Sequence, residues 1–327
     1  MIRYLLRKGL SWLVMVFLAT NLTYFLANWF LDPEANYQER RPPIPPEQIQ
    51  QMLEPYNLSQ NEPLMSRWWD WLTGVLLHWD WGQSPVGQSV NYQVGVRIGT
   101  SAQLLLGATV LAAVIGIAVG VYTASRQYKL ADRIWQGLSI ILLNTHVIVA
   151  SLVIVLIAVQ INKAAGTRIF YVTGASSPGV SGFFPVLVDR LQHLILPTIV
   201  LTMINYPSYH MMQRTLLLDN ISADYVRTAR SKGLTRQQAI RKHALRTSII
   251  PVATSMAFSI AGIFTGAVLT ETIFGWEGMG RYFTTTIAKN DVHGVVAVAA
   301  FGAAMTAVGA LLSDFLLVFI DPRVRVS

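Results

Sequence analysis

A chain of 327 residues with 53% hydrophobic and only 13% charged residues carries a formal net charge of +8 and no cysteine. Apolar residues gathered into runs place it among helical membrane proteins and exclude an ordinary soluble globular fold. The missing thiols exclude disulfides, thiolate metal sites and thiol catalysis.

A helix rises about 1.5 Å per residue, so a hydrocarbon core of about 30 Å asks for about 20 apolar residues. Six segments meet that length: Gly9 to Phe30, Ala102 to Thr123, Ile134 to Gln160, Leu191 to Met212, Ile249 to Thr270 and Val292 to Ile320. The first has too long an apolar run for a secretory signal and no small-residue cleavage site after it, so it reads as retained. Asn205, Pro207 and His210 interrupt the fourth.

Between the first two spans, residues 32–99 form the main extramembrane part. Arg40 to Pro46 is rich in proline and reads as a stiff polyproline connector. A short helix is expected from Glu47 to Pro55, and Trp68, Trp69, Trp71, Trp79 and Trp81 follow. Those tryptophans read as an interfacial aromatic anchor or as a docking surface for an external protein.

Lys and Arg set the orientation. Arg3, Arg7 and Lys8 precede the first span, Arg126, Lys129 and Arg133 follow the second, eight basic residues run from Arg214 to Arg246, and Arg323 and Arg325 end the chain. With six crossings these all fall on one side, which the positive-inside rule makes cytoplasmic, together with both termini. Asp32, Glu34, Glu39, Glu47, Glu54, Glu62, Asp70 and Asp80 fall on the other side. The positive charge therefore expresses topology and not nucleic-acid binding.

The basic segment from Asp224 to His243 is a helix, a glycine and a second helix. Tyr225, Val226, Ala229 and Arg230 recur at helical spacing, and Gly233 supplies the left-handed residue that ends a helix. Thr235 and Gln238 have capping-box spacing, and Ala239, Ile240, Ala244 and Leu245 give the next helix an apolar side. An ordinary juxtamembrane loop touching anionic lipid would share the composition.

No phosphate-cradling glycine loop and no Gly-x-Ser-x-Gly elbow occurs, so ATP hydrolysis by this chain is not expected. The six histidines are scattered without ligand spacing. His146 and His210 lie at membrane depth and read as hydrogen-bonded packing residues. Asp314, inside the last span, reads as paired with an Arg or backbone group at the basic side or, less simply, as part of an ion relay.

The Asp224 to Lys242 segment resembles the coupling loop of ABC-importer permeases. Their Glu-Ala-Ala-three residues-Gly core falls on Arg227, Thr228, Ala229 and Gly233, with Arg for Glu and Thr for the first Ala. His243 and Arg246 stand where the general pattern has Ile and Pro, and these departures look like the peptide and nickel branch. Trp71-Leu72 through Trp79 to Ser84 resembles the Gly-Asp-Leu-Gly-x-Ser region of dipeptide and oligopeptide permeases, with His78 and Trp79 at its less regular positions, and Asp189 to Pro197 the start of their fourth helix. Glu271 to Arg281 is similar to their Glu-x-x-Phe-x-x-x-Gly-x-Gly turn, and Asp321-Pro322-Arg323 to their terminus. Asn144 to Val147 departs from the usual Ile-Pro-Ser.

The resemblance implies an all-α membrane protein with six transmembrane helices and the type I ABC-importer permease fold. Its parts would be a first helix over 1–31, an external segment over 32–99 and a five-helix core over 100–327 with the coupling loop at 213–248. The chain would be the first-permease subunit of a bacterial inner-membrane importer for peptides, oligopeptides before dipeptides. It would pair with a second permease, two ABC ATPases that hold ATP and Mg, and an external binding protein, and would itself bind no cofactor. Coupling to the ATPase would fall to Asp224, Tyr225, Arg227, Thr228, Ala229, Arg230, Gly233 and Leu234. Glu271, Phe274, Trp276, Gly278 and Gly280 would form an external gate, although tight chain reversal alone explains glycines there. Gly107, Gly116, Gly120, Gly262 and Gly266 permit close helix packing within the subunit or at the seam with its partner. The alternatives are an importer of nickel or another small solute, an ion-coupled secondary carrier, and a membrane scaffold. A carrier would ordinarily show two related halves with polar midplane sites, and the chain shows no internal repeat.

Overall fold

The structure, a computed structural model, describes residues 2–38, 41–263 and 266–320. Asp321-Pro322-Arg323, Arg325 and Glu39 therefore lie outside the described residues. Helices dominate, in the order α1 (Ile2–Phe30), α2 (Ala35–Gln38), α3 (Pro46–Leu53), α4 (Leu64–His78), α5 (Val90–Ser125), α6 (Leu130–Leu143) and α7 (Val147–Ala165). After a loop come α8 (Phe183–Ile221), α9 (Asp224–Ser231), α10 (Arg236–Ala239), α11 (Leu245–Ile263), α12 (Val268–Ile273), α13 (Met279–Ala288) and α14 (Val292–Ile320). Among the described residues α1, α5, α7, α8 and α14 are each long and apolar enough to cross a bilayer. The predicted fifth span belongs to α11, which packs on α14, α8 and α5.

α5 and α8 form the central pair of the bundle, and glycine is the reason they come so close. A Cβ on Gly116 would lie 2.5 Å from the Cβ of Tyr209 and 2.7 Å from the Tyr206 carbonyl. One turn on, a Cβ on Gly120 would lie 2.8 Å from the Cβ of Gln213. This small-x-x-x-small seam lets two backbones touch. By contrast, among the described residues nothing lies within 4 Å of the Cβ position of Gly107 or Gly262. α1 and α11 flank α14, while α6 and α7 lie along α8.

The third span differs from its prediction, because one continuous helix over 134–160 is replaced by α6 and α7 with a break at 144–146. His146 takes an extended backbone (φ −70°, ψ 140°), and its ring Nδ1 accepts from the Ile148 N–H at 3.3 Å, capping α7. α6 packs on the Tyr206 to Arg214 stretch of α8, through Ser139 and Asp132. α7 packs near Leu196 to Leu201, so the two pieces share one antiparallel traverse. α8 is longer than its predicted span, since Pro197 and Pro207 are accommodated inside it and it runs past 212 to Ile221. α5 likewise begins at Val90, inside the segment expected to be external.

At the end opposite the basic segment, α2, α3, α4 and the start of α14 close over the end of α1. Tyr24, Ile49, Leu53, Leu58, Trp71 and Val296 form its core, with Trp68 and Trp81 packed against them. Trp71 stacks on Tyr24 with ring centroids 4.7 Å apart, and the Trp68 indole N–H donates to Asn21 Oδ1 at 2.7 Å. Three of the five clustered tryptophans are thus the core of a small cap. Only Trp69 and Trp79, 58% and 70% exposed, keep the surface position expected of all five.

Candidate functional site: coupling helix, hairpin and central cavity

The basic end of the bundle carries a small, well-closed structure. α9 ends in a Schellman turn: the Gly233 N–H donates to Arg230 O at 3.0 Å and the Leu234 N–H to Ala229 O at 3.3 Å. Gly233 has φ +94°, the left-handed conformation expected of it, and open space around its Cβ position. Thr235 then starts α10 through a reciprocal capping box, its hydroxyl accepting from the Gln238 N–H at 3.3 Å and Gln238 Oε1 accepting from the Thr235 N–H at 3.0 Å. The chain continues into α11 through a π-helical turn, Ile240–Ala244, where the Leu245 N–H reaches Ile240 O.

The amphipathic faces divide the eight predicted coupling residues. Val226 and Ala229 are buried with Ala124 of α5, Leu217 of α8, Ala239, Ile240 and Ala244, with Leu234 packed against them. Ala229 is therefore small because its own subunit's helices lie against it. Asp224, Tyr225, Arg227, Thr228, Arg230 and Gly233 face outward. Arg227 and Asp224 are an exposed pair at 3.9 Å, a geometry of little energetic weight, which leaves both groups available.

Above this helix sits a buried polar network that sequence reasoning caught only at His210. The His210 ring is fixed between the Ser139 hydroxyl (2.6 Å to Nδ1) and the Thr123 hydroxyl (3.1 Å to Nε2). One turn along α8, Arg214 makes a two-pronged ion pair with Asp132 of α6 at 2.8 and 2.9 Å. Asp132 also accepts from the Tyr128 N–H and the Gln136 amide, so its burial is fully compensated. Asp314 pairs with Lys8 of α1. Its expected partner was an Arg or a backbone group, and the Lys is preferred because α1 lies directly on α14.

At the opposite end, all five residues of the predicted gate are buried. The Glu271 carboxylate is fully buried and accepts three hydrogen bonds: from the Ser101 hydroxyl at 2.7 Å, the Ala267 N–H at 3.2 Å and the Arg281 N–H at 2.8 Å. Ser101 in turn accepts from the Met279 N–H at 2.8 Å, which ties α5 to both arms of the hairpin. A Cβ on Gly278 would lie 2.4 Å from Glu271 Cδ and from Ser101 Oγ, and one on Gly280 2.7 Å from the Val268 N. The glycines are required because the carboxylate occupies their side-chain space. Phe274 and Trp276 fill the core below, each 1% exposed. The motif is thus the frame of the hairpin, and its surface is carried by the neighbouring residues 266–269.

Just beyond that hairpin, Asp291 caps the start of α14 through the Gly294 N–H at 2.9 Å. Burial pushes its carboxyl up to about 6. Because the folded value lies above the ordinary 3.8, the fold favours the protonated form. This contribution is complete below about pH 4 and is lost as pH rises through about 6. Thermal unfolding between pH 4 and 8 is expected to show that loss in the native chain, and Asp291→Asn to flatten it while keeping the cap.

Residues 266–270 also roof a cavity of about 590 Å³. Its walls are Leu105 and Thr109 of α5, Val147 of α7, the face of α8 from Leu201 to Met212, and Ser255, Ser259, Gly262 and Ile263 of α11. A second cavity, about 730 Å³, lies between α1, α4, α5 and α14 and is nearly all apolar.

A bundle of membrane-length helices, with a cavity of apolar walls and a few neutral polar side chains between them and a rigid basic helix at one end, fits a polytopic transport subunit. Residues 116–326 match the model of the family described as binding-protein-dependent transport system inner membrane component, and the chain belongs to that family. Its relatives include the oligopeptide transport system permease protein OppB of Mycobacterium tuberculosis, 40% identical over the full length of both chains. The oligopeptide permease protein AppB of Bacillus subtilis is 30% identical over 90% of this chain and 88% of its own. The dipeptide permease protein DppB of Escherichia coli is 30% identical over 86% of each.

Proposed function

We propose that this chain is one permease half of an ATP-driven importer of peptides, with oligopeptides favoured over dipeptides, in a bacterial inner membrane. A second, related permease supplies the other half of the pathway, and an external binding protein delivers the substrate. Two ABC ATPase subunits hold ATP and Mg. Both termini and α9 face the cytoplasm in this reading, as the distribution of Lys and Arg asks. The names of the relatives support the substrate class.

The observation that carries the mechanism is the division of α9 into two faces. One is locked onto the ends of α5, α8 and α11, and the other presents Asp224, Tyr225, Arg227 and Thr228 outward. A partner groove that grips the outer face moves the bundle with it, because the inner face shares one apolar core with α5 and α8. Closure of the ATPase pair on ATP then re-orients the helices around the central cavity. The hairpin over 266–270 closes that cavity on the external side, braced by Glu271.

Gly233→Val tests the coupling. Space around Gly233 is open, so the variant acts through backbone strain alone, about 1–3 kcal/mol for a β-branched residue at positive φ. The expected outcome is normal membrane insertion with peptide-stimulated ATP hydrolysis lowered about tenfold or more. Unchanged stimulation would contradict the assignment of α9.

A further inference from the structure

The central cavity holds a feature that the peptide-importer reading does not itself require, although the inference rests on that reading. None of the described residues that line it is charged. Between its apolar walls run side chains that both donate and accept hydrogen bonds. Asn205 and Ser208 stand three residues apart on one face of α8, Ser255 and Ser259 four apart on α11, and Thr109 on α5. Asn205, which lines the cavity, spends its amide N–H on Leu201 O at 2.7 Å, and Ser259 donates to Ser255 O at 3.2 Å. The hydroxyls of Thr109, Ser208 and Ser255 make no hydrogen bond with the described residues.

We infer that Thr109, Asn205, Ser208 and Ser255 form a track that hydrogen-bonds the main chain of the passing peptide, so that this half of the pathway is indifferent to side-chain charge. A peptide backbone offers alternating N–H donors and C=O acceptors whatever its sequence. Hydroxyl and carboxamide groups can answer either kind. A fixed charge here would trap peptides of opposite sign and repel those of like sign, since charges act strongly in a partly dehydrated cavity. Neutral groups bind weakly enough for the substrate to leave, which a conducting site needs. The apolar walls accept side chains without selecting among them.

The test uses the assembled importer in proteoliposomes with its binding protein, and pentapeptides carrying a central Ala, Lys or Glu, with an N-methylated Ala form as the main-chain probe. Uptake is normalised to the loaded fraction of the binding protein. Asn205→Leu, Ser208→Ala and Ser255→Ala are each expected to lower uptake of all three charge types by the same factor, about 2- to 10-fold per group. The N-methylated peptide should already be slow in the native importer and lose little more. A variant that affects one charge type alone, or leaves all uptake unchanged while elution and basal ATPase activity are normal, overturns the inference. Ser208→Ala removes one oxygen from an exposed position, so it serves if the larger change at Asn205 disturbs folding. A native importer that moves none of the peptides overturns the function proposed for the chain instead.

Discussion

Glu271→Ala is expected to abolish the hairpin, and with it the assembled protein, more completely than any change on the basic helix. The substitution strands the buried Ser101 hydroxyl and the part-buried N–H groups of Ala267 and Arg281. Losing one buried network of this kind costs about 3–5 kcal/mol. Glu271→Gln keeps the shape but turns an amide toward one of those donors, so it should lie between the native chain and the alanine variant. Gly278→Ala attacks the same arrangement from the other side, because its methyl would need the volume of the Glu271 carboxyl and the Ser101 oxygen. Thermal unfolding followed by size-exclusion in detergent is expected to rank native, Glu271→Gln and then the two alanine variants. If Glu271→Ala unfolds with the native protein and only uptake is lost, Glu271 is a gating group and not a brace.

The second large effect is expected at the α5–α8 seam. Gly116→Val places a branched side chain against the backbone of Tyr206 and His210, where neither neighbour can rotate away. Overpacking typically costs about 1–3 kcal/mol, and the upper end applies where the obstacle is main chain. Separation of α5 from α8 would also disturb Thr123 and His210, whose bond crosses the same seam at 3.1 Å. Gly107→Val is the matched control, since its Cβ position meets nothing within 4 Å. The expected result is a large drop in the melting temperature for Gly116→Val and almost none for Gly107→Val in the isolated chain. Equal effects at both positions would show that the seam is not where the bundle is held.

What could be read from sequence divides along the range of the forces concerned. α14 runs over Val292–Ile320, the limits that its apolar run implies, because hydropathy acts residue by residue. The Gly233 turn and the Thr235 cap were equally legible, since their partners lie within five residues. The break between α6 and α7 was not. Three polar residues, Asn144 to His146, vanish in the average hydropathy of the run, and only their local bonds reveal a cap. The burial of Trp71 was not legible for a related reason: preference for the headgroup zone describes an isolated indole, whereas Trp71 finds Tyr24 on a distant helix. Ser101 gave no signal at all, because the Glu271 that explains it lies 170 residues later. The resemblance pointed to the Glu271 turn as a gate, and what no single sequence shows is that its five residues are buried in the frame of the hairpin.

The claim on which the account rests is that the outer face of α9 is held by an ATPase partner at the cytoplasmic side. The chain has no native cysteine, so Arg227→Cys introduces a single thiol on a side chain that is 77% exposed. Short-spacer crosslinking of this variant in the assembled importer is expected to join the chain to an ATPase subunit, while Val226→Cys, on the buried face, is expected to give none. Labelling of Arg227→Cys by a membrane-impermeant thiol reagent applied from outside the cell, or the absence of any crosslink in a complex that hydrolyses ATP, would contradict the account.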